Sequence, residues 1–304
     1  KINNGCLFKV MENRHKSLLL LLSKYKALIV FVVLALFFYL SLPSTLFIAP
    51  TSSLIEDTNG ELLGARIAAD GQWRFPAITE VPEKFAKAIV AFEDKRFYSH
   101  RGVDGIAIGR ALYQNIKEKR VSEGGSTLSM QVIRLMRQGK PRTIKEKIVE
   151  AYLAVRLEAS YSKQQILSLY ASHAPFGSNV VGIDAASWRY FGRSPDDLSW
   201  GEAATLAVLP NSPALIHPGR NRDALLRKRN LLLDDMVNQG VINDETCELA
   251  KSESLPDKPM PLPRHAPHLL DKAAIKYPGK RVGSTLLLTL QERVNKVVDR
   301  YNQD

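Results

Sequence analysis

Two glutamates in unusual surroundings are the residues of this sequence best suited to chemistry. Glu93 and Asp94 end the segment PEKFAKAIVAFED (82–94), which has the periodicity of an amphipathic helix. A carboxylate at a helix C-terminus meets the negative end of the helix dipole, so we expect a raised pKa for Glu93. Neutralisation of both acids at the surface by Lys95 and Arg96 is the alternative interpretation.

Glu150 is the second candidate acid. It lies in the apolar helical pattern IVEAYLAVRL (148–157), whose only other charged residue is Arg156. A carboxylate among apolar side chains must be paired or must line a cleft. One interpretation is a buried ion pair with Arg156 or another arginine. The other is glycosyl chemistry, in which one carboxylate deprotonates the attacking hydroxyl and a second assists departure of the leaving group.

A cationic stretch lies between the two acids in the chain. Arg134 to Lys147 contains six Lys/Arg residues against Glu146 alone. Guanidinium groups suit a phosphate leaving group because their planar donors engage its oxygens and balance its charge. A solvated basic face, or a patch on anionic lipid headgroups, is the alternative. The preceding GGST (124–127) permits a mobile loop or close approach to a ligand, and either hydroxyl residue can cap the next helix.

Helices must position these groups, because helix-start signals recur after residue 82. Three S/T-x-x-E/Q capping boxes begin at Thr143, Ser162 and Ser199, each before an apolar-periodic stretch. Before them, residues 51–75 alternate apolar and polar side chains around an Asn-Gly pair, which predicts a small β-hairpin.

The composition changes near residue 251. Five prolines fall within 256–267, so 251–267 is predicted to be an extended linker. Beyond it, STLLLTL (284–290) is predicted to be a strand and QERVNKVVDRYNQD (291–304) an amphipathic helix. A strand and a helix cannot form a domain alone, so this end is expected to be cut short or to pack on a neighbour.

An uncharged run from residue 27 to residue 55 predicts a membrane anchor over 27–49. Lysines precede the run and acids follow it, so the positive-inside rule places the basic N-terminus, 1–26, in the cytoplasm and the rest outside. A cleaved signal peptide is the alternative, although the run exceeds an h-region of roughly 7 to 15 residues. Residues 1–10, upstream of Met11, are expected to be an extension without a fold of its own.

The composition of the 304 residues excludes several classes of protein. With 45% apolar residues and a formal net charge of +11, the chain is neither disordered nor collagen-like, and it can bury a sizeable core. Only two cysteines are present, so a disulfide framework, thiol chemistry and a cysteine-based metal site are not expected.

Together these motifs resemble the family-51 peptidoglycan glycosyltransferases, the glycan-polymerising domain of class A penicillin-binding proteins and of monofunctional relatives. The resemblance covers roughly residues 50–250. The first family motif, E-D-x-x-F-x-x-H-x-G, is matched by EDKRFYSHRGVD (93–104), and the second by GGSTLSMQ (124–131). The third and fourth motifs are matched by residues 142–150 followed by LEASYSKQQIL. The late conserved block of the family is matched by YFGRSPDDLSWGEAATLAVLPNSP (190–213). Met130-Gln131 and HAPFG (173–177) make the chain most similar to the 1C type.

The resemblance implies a mainly α, lysozyme-like, two-lobed glycosyltransferase domain over 50–250, with a small β element and one preceding transmembrane helix. It also implies that 268–304 is the truncated lead-in to a missing transpeptidase domain. Ser160 to Lys163 fits the S-x-x-K of that domain, but K-T-G is absent, so acylation by β-lactams is not expected.

By position, the resemblance makes Glu93 the general base that deprotonates the 4-hydroxyl of the acceptor sugar. Glu150 becomes the acid that helps to organise the departing diphosphate. Arg134 and Arg142 are the implied cationic partners of Glu150. The residues implied to line the donor side of the cleft are Ser126, Thr127 and Gln131. Those implied to shape the first loop and bind substrate are Asp94, Phe97, His100 and Gly102. His100 fits a structural hydrogen bond as well as a substrate contact.

Three positions depart from the family pattern. Arg134 stands where Lys is common, Leu135 replaces a usual Asn, and Ser172 stands where Asn normally follows Y-L. These departures affect fine donor contacts but leave both acids in place.

The implied enzyme is anchored in the bacterial inner membrane by a single pass, with its catalytic domain on the periplasmic side. It polymerises lipid II into β-1,4-linked glycan strands with inversion and releases polyprenyl diphosphate. The implied partners are lipid II, the growing glycan chain, the lipid bilayer, and a transpeptidase or other cell-wall synthesis proteins, without nucleic acid. Mg²⁺ or Mn²⁺ can accompany the substrate diphosphate. No protein metal site and no organic cofactor are expected.

Two other functions stay open at this point. A lysozyme-like glycan-cleaving enzyme shares the fold and the use of two acids, although cleavage of a neutral glycosidic bond gives the basic stretch no diphosphate to stabilise. The departures are also consistent with a weakly active scaffold for cell-wall synthesis proteins.

Overall fold

A computed structural model describes residues 24–118, 125–138, 140–141, 143–211 and 221–301 of the chain. The chain divides into two compact units, Lys1–Leu46 and Phe47–Asp304. In the described part of the first unit, helix α1 spans Lys26–Leu40, and its apolar side chains are exposed apart from the half-buried Phe38. It ends earlier than the predicted anchor. Across the described ranges, no helix combines the length and the hydropathy needed to cross a bilayer.

The second unit is mainly helical, as predicted. Its described helices are α2 (Glu83–Glu93), α3 (Gly105–Glu118), α4 (Leu128–Met136), α5 (Ile144–Glu158), α6 (Lys163–His173), α7 (Ile183–Phe191), α8 (Trp200–Val208), α9 (Arg222–Asn238), α10 (Asp244–Ser252), α11 (Pro267–Lys276) and α12 (Leu288–Tyr301). All three predicted capping boxes mark helix starts: Thr143, Ser162 and Ser199 each accept a backbone N–H three residues on.

Two groups of helices carry the core of this unit. Helix α2 packs against α8 and α9, and α8 also packs against α10. Helix α4 packs against α5 and α6. Phe85 and Ile89 on α2 are completely buried, which fixes the rotation of the helix that ends at Glu93.

A three-stranded sheet is built from strands β1 (Ser53–Glu56), β2 (Leu62–Arg66) and β5 (Arg281–Gly283). Their order in the sheet is β2-β1-β5. Strand β1 (Ser53–Glu56) pairs antiparallel with β2 (Leu62–Arg66), which confirms the predicted hairpin. In the turn, Asp57 Oδ1 accepts the backbone N–H groups of Asn59 at 2.7 Å and Glu61 at 2.9 Å. A second, two-stranded sheet joins β3 (Trp73–Arg74) and β4 (Val180–Val181) in parallel.

The segment after the proline-rich stretch packs back onto the hairpin. Strand β5 (Arg281–Gly283) pairs in parallel with β1, and Leu270 of α11 joins Ile55 and Leu63 in a buried apolar cluster. The strand predicted at 284–290 is therefore wrong. Leu286 and Leu288 pack on the cluster, and Asp57 Oδ2 accepts Leu288 N at 3.1 Å, so the apolar run leads into α12 instead.

His173, at the end of α6, stacks on Phe47 with ring centroids 3.6 Å apart and an interplanar angle of 12°. Burial lowers the pKa of His173 to about 4, and the charge of Arg74 acts in the same direction. The unfolded chain therefore binds a proton near pH 6.5 that the folded chain does not bind until about pH 4. The stability due to neutral His173 is complete above pH 6.5 and is lost as the pH falls towards 4.

We expect His173→Phe to reduce this pH dependence, because a phenyl ring keeps the stack but does not titrate. Thermal melts at pH 7 and pH 5 measure the effect. The wild type should lose roughly 2 kcal/mol more than the variant between these pH values. Equal losses in both proteins would show that His173 titrates normally.

Candidate active site

Glu93 is the last residue of α2, and Asp94 N closes the final turn by donating to Val90 O at 3.0 Å. The neighbouring cations do not neutralise it. Lys95 pairs with Asp235 at 2.5 Å and Arg96 with Asp104 at 3.5 Å. The interpretation of Glu93 as a neutralised surface acid is therefore wrong.

The carboxylate of Glu93 points into a polar environment that is mostly closed to water. Gln131 Nε2 donates to Glu93 Oε2 at 2.7 Å. Burial raises the pKa of Glu93 above its usual value, while hydrogen bonds from Gln131 and Asn211 and the charges of Lys228 and Arg134 offset part of the rise. The expected direction is confirmed, but its main cause is desolvation rather than the helix dipole.

Glu150, on α5, is 5% exposed and is held by Arg134 of α4. Arg134 Nε donates to Glu150 Oε1 at 2.9 Å and Nη2 donates to Oε2 at 2.8 Å. Arg134 Nη2 also lies 3.5 Å from Ser126 Oγ. The expected pair with an arginine is confirmed, and Arg134 supplies the guanidinium group. The side chain of Arg134 is about one-third exposed, so the pair borders solvent.

Helix α4 brings the two acids to one place. Gln131, which contacts Glu93, and Arg134, which contacts Glu150, are three residues apart and therefore lie on the same face, about 4.5 Å apart along the helix axis. The negative charge of Glu93 helps to raise the pKa of Arg134, after the larger contribution of the hydrogen bond with Glu150. Both carboxylates thus face one side of α4.

The first-loop residues Asp94, Phe97 and His100 are buried. His100 Nε2 lies 3.0 Å from Asp94 Oδ2, which also accepts Leu128 N at 2.9 Å at the start of α4. Phe97 lies beneath the ammonium group of Lys163, 4.4 Å from the ring centroid. These contacts are internal to the protein, so they favour a shaping role in the loop over direct contact with substrate.

Thr127 is turned inward, contrary to the prediction that it lines the donor side. Its hydroxyl donates to Gly102 O at 2.6 Å and accepts Met130 N at 3.2 Å, and the residue is buried. The reason is that Thr127 is the N-cap of α4, which uses its side chain for the helix start.

Gly102 has a φ of +91°, and a Cβ there would lie 2.6 Å from Val155 N and 2.7 Å from Ala154 O on α5. We expect Gly102→Ala to destabilise the fold by about 3 to 5 kcal/mol, because the added Cβ would force either the backbone of α5 or the loop to shift at a large energetic cost. Gly60→Ala is the matched control: its φ is +87°, but its Cβ would meet nothing within 4 Å. Its expected cost is about 1 to 2 kcal/mol. Urea titration of both variants checks this, and equal costs would contradict the close packing.

The basic stretch from Arg134 to Lys147 contains one further predicted site residue, Arg142. Arg142 lies outside the described residues. In the rest of the basic stretch, Arg137 pairs with Glu146, with Nη2 3.1 Å from Oε2, whereas Lys140, Lys145 and Lys147 are exposed.

Of the departures from the family pattern, Ser172 has a clear structural role. Its hydroxyl accepts Ile78 N at 3.2 Å, so it holds the segment that precedes α2.

Three residues near Glu93 were not singled out from the sequence. Asn211 and Lys228 influence the pKa of its carboxylate, as described above. Tyr170 of α6 is 1% exposed, and its hydroxyl has no hydrogen-bond partner among the described residues. Burial raises the pKa of Tyr170 well above its usual value, and the charge of Glu93 adds to the shift. Asn211 lies within the late motif block (190–213), so its place in that block could have indicated a role at the site. No sequence pattern indicates such a role for Lys228 or Tyr170.

Comparison of the sequence with known proteins identifies a family. The transglycosylase family model matches residues 59–237. Penicillin-binding protein 1C of Escherichia coli K12 is 38% identical over 234 residues, covering 77% of this chain and 30% of that protein. Penicillin-binding protein 1A/1B of Bacillus subtilis 168 is 37% identical over 210 residues, covering 69% of this chain and 23% of that protein.

The chain therefore belongs to the transglycosylase family, which confirms the family predicted from its motifs. It spans less than a third of the length of these two relatives. Among solved structures, the crystal structure of penicillin-binding protein 1A from Haemophilus influenzae matches 80% of this chain and 28% of that chain, with a TM-score of 0.39 and 19% identity.

Proposed function

We propose that this chain is a membrane-anchored peptidoglycan glycosyltransferase that polymerises lipid II into β-1,4-linked glycan and releases polyprenyl diphosphate. The observation that carries the proposal is the arrangement on α4, where Gln131 holds a buried carboxylate and Arg134, one turn away, holds a second. A base and a cation-paired acid on one helix face suit a reaction that removes a proton at one end and releases an anion at the other.

In the proposed reaction Glu93 accepts the proton of the acceptor 4-hydroxyl. The resulting oxygen nucleophile forms a bond to the anomeric carbon of the donor from the face opposite the leaving group. The bond from that carbon to the diphosphate oxygen breaks, and its electron pair leaves with the diphosphate. Inversion follows from this single displacement. A raised pKa makes Glu93 a stronger base, provided that it is ionised at the working pH.

On the leaving-group side, Arg134 supplies a guanidinium group fixed by two hydrogen bonds to Glu150. Glu150 orients that planar group, and the exposed part of Arg134 remains able to meet an anionic oxygen. Ser126 beside Arg134 offers a hydroxyl at the same place. We propose that Arg142 adds a further cation.

An exposed apolar face on α5 supports action at a lipid surface. It consists of Ile144, Ile148, Tyr152 and Val155, spaced four, four and three residues apart, and Ile144 is 81% exposed. Lys145 and Lys147 flank it and are exposed, as suits anionic headgroups. With the apolar run over 27–49, this face supports an inner-membrane location with the catalytic domain on the periplasmic side, where a transpeptidase or other cell-wall synthesis proteins would act on the product.

The described residues include no group of three or more His, Cys, Asp or Glu side chains arranged to hold a metal ion. No step above passes through a protein-bound metal. The proposal retains Mg²⁺ or Mn²⁺ as a companion of the substrate diphosphate, whose charge it would neutralise.

Incubation of the full chain in detergent with labelled lipid II tests the proposed function, with preformed glycan as a second substrate. We expect glycan chains from lipid II and no cleavage of preformed glycan. Cleavage without polymer would favour the lysozyme-like alternative. If the protein melts cooperatively but shows neither polymerisation nor cleavage, the result would favour a scaffold for cell-wall synthesis proteins.

A further inference from the structure

The carboxylate of Glu158 is buried at the end of α5 and has no part in the proposed reaction steps. Its side chain is only 6% exposed. Ser129 Oγ donates to Glu158 Oε1 at 2.5 Å, and Lys163 Nζ donates to the same oxygen at 2.7 Å. A carboxylate at a helix C-terminus meets the negative end of the helix dipole, and burial removes its hydration, so it needs such partners. One oxygen of Glu158 therefore joins α4, α5 and α6.

The first turn of α4 is held from outside the helix at three successive residues. The hydroxyl of Thr127 donates to a carbonyl of the first loop at 2.6 Å. Leu128 N donates to Asp94 Oδ2 at 2.9 Å, and the hydroxyl of Ser129 donates to Glu158. Ser129 is completely buried. These contacts fix both the position and the rotation of the start of α4.

The two hydrogen bonds to Glu158 have different consequences. Lys163 balances the charge of Glu158 and lies over the ring of Phe97, 4.4 Å from its centroid, so it ties α6 to the first loop. Ser129 is neutral and adds nothing to charge balance. Its contact instead fixes α4 to α5, the helices that carry the guanidinium group and the second acid.

Helix α4 transmits this position to the site. Gln131 and Arg134 are two and five residues after Ser129, so they lie about 3 Å and about 7.5 Å further along the helix axis. Gln131 holds Glu93, and Arg134 holds Glu150. A shift or rotation of the first turn would therefore displace both contacts together. Misplacement of catalytic groups by about 1 Å can reduce a rate by as much as about 10²-fold.

The geometry points to Glu158 as a positioning residue for the proposed reaction, acting through the hydroxyl of Ser129 on the first turn of α4. It holds α4 at the rotation and height at which side chains of that helix meet the two acids. The inference rests on the proposed function, because it requires both acids to take part in the reaction. Neither Glu158 nor Ser129 was assigned a role from the sequence.

The test compares Ser129→Ala with Ser187→Ala in steady-state polymerisation of lipid II by the full chain, well below the melting temperature. Both serines are completely buried in helices, and Ser187, on α7, donates to Arg193 O at 2.8 Å. Each variant loses one hydrogen bond, so both should lower the melting temperature by similar amounts. We expect Ser129→Ala to lower kcat by about tenfold with KM within about twofold of wild type. Ser187→Ala should leave both constants within about twofold of wild type.

Two substitutions of Glu158 test the acceptor. Glu158→Gln keeps an oxygen that can accept the hydroxyl of Ser129, so its kcat should stay within about threefold of wild type. Glu158→Leu has no acceptor, so its kcat should fall as in Ser129→Ala. The double variant Ser129→Ala with Glu158→Leu should lose no more than the larger single loss, because both changes remove the same contact.

Several outcomes would overturn the inference. One is a loss of kcat in Ser129→Ala that is smaller than about threefold, and another is an equal loss in Ser187→Ala, which would indicate general destabilisation. A higher KM with unchanged kcat in Ser129→Ala would also overturn it, because Ser129 would then serve substrate binding. Equal losses in Glu158→Gln and Glu158→Leu would exclude the route through Ser129. If Glu158→Leu does not melt cooperatively, the two alanine variants decide the question.

Wild type and Glu93→Gln in the same assay keep the failures apart. If wild type makes no polymer, or Glu93→Gln makes as much as wild type, the proposed function itself fails. If both behave as expected and Ser129→Ala retains its kcat, only the positioning role of Glu158 fails.

Discussion

Glu93→Gln is expected to reduce polymerisation of lipid II by about 10²- to 10⁴-fold, the contribution of a general base to a proton-transfer step. The amide has nearly the same shape as the carboxylate and can keep the hydrogen-bond contact with Gln131 after rotation of its own amide. It cannot accept the proton of the acceptor hydroxyl. Initial rates of glycan formation, at a pH where wild type is maximally active, measure the effect.

Glu83→Gln is the matched control, since Glu83 lies in the first turn of the same helix and pairs at the surface with Lys87 at 2.5 Å. Its rate should stay within about twofold of wild type because exposed pairs contribute little. The melting temperature of Glu93→Gln should be unchanged or higher, since burial already disfavours the charged form of Glu93. Equal polymer from Glu93→Gln and wild type would remove Glu93 from its assigned role.

Glu150→Gln should produce the second largest loss, roughly 10²-fold to 10³-fold in kcat. In wild type the two carboxylate oxygens of Glu150 accept hydrogen bonds from Nε and Nη2 of Arg134. A glutamine offers only one accepting oxygen, so the guanidinium group is held at one point and is less well oriented towards the departing diphosphate. Steady-state kinetics that separate kcat from KM measure this.

Glu146→Gln provides a control on the same helix. Glu146 pairs with Arg137 in a similar two-point arrangement, but near the start of α5 and closer to solvent. We expect its rate to change by less than about threefold. Similar losses in Glu146→Gln and Glu150→Gln would point to a general effect of charge in the basic stretch, and against a specific role for the buried pair.

Features with a local cause could be predicted from the sequence. The starts of α5, α6 and α8 follow from hydroxyl side chains that cap the first turn, and the hairpin follows from its Asn-Gly turn. The raised pKa of Glu93 was also expected, although local reasoning assigned it to the helix dipole. Burial by α4, α8 and α9 is a tertiary effect that no local pattern reveals.

Features that depend on the packing of distant segments were missed or misjudged. Thr127 has the same sequence signature whether it caps a helix or faces a ligand, and only the position of the Gly102 carbonyl decides between them. The run 284–290 has the composition of a strand, but Asp57, more than 200 residues earlier, makes it the start of a helix. Asn211 and Lys228 come together only because α8 and α9 pack on α2.

The parallel pairing of β1 with β5 has a consequence for synthesis of the protein. Leu54 lies opposite Arg281, so the outer edge of the sheet stays open until more than 200 further residues have left the ribosome. Until then the nascent chain exposes Ile55 and Leu63, which later meet Leu270. Closing so long a loop is slow compared with local helix formation. During vectorial synthesis the helices between can therefore fold first, and the three-stranded sheet is completed last.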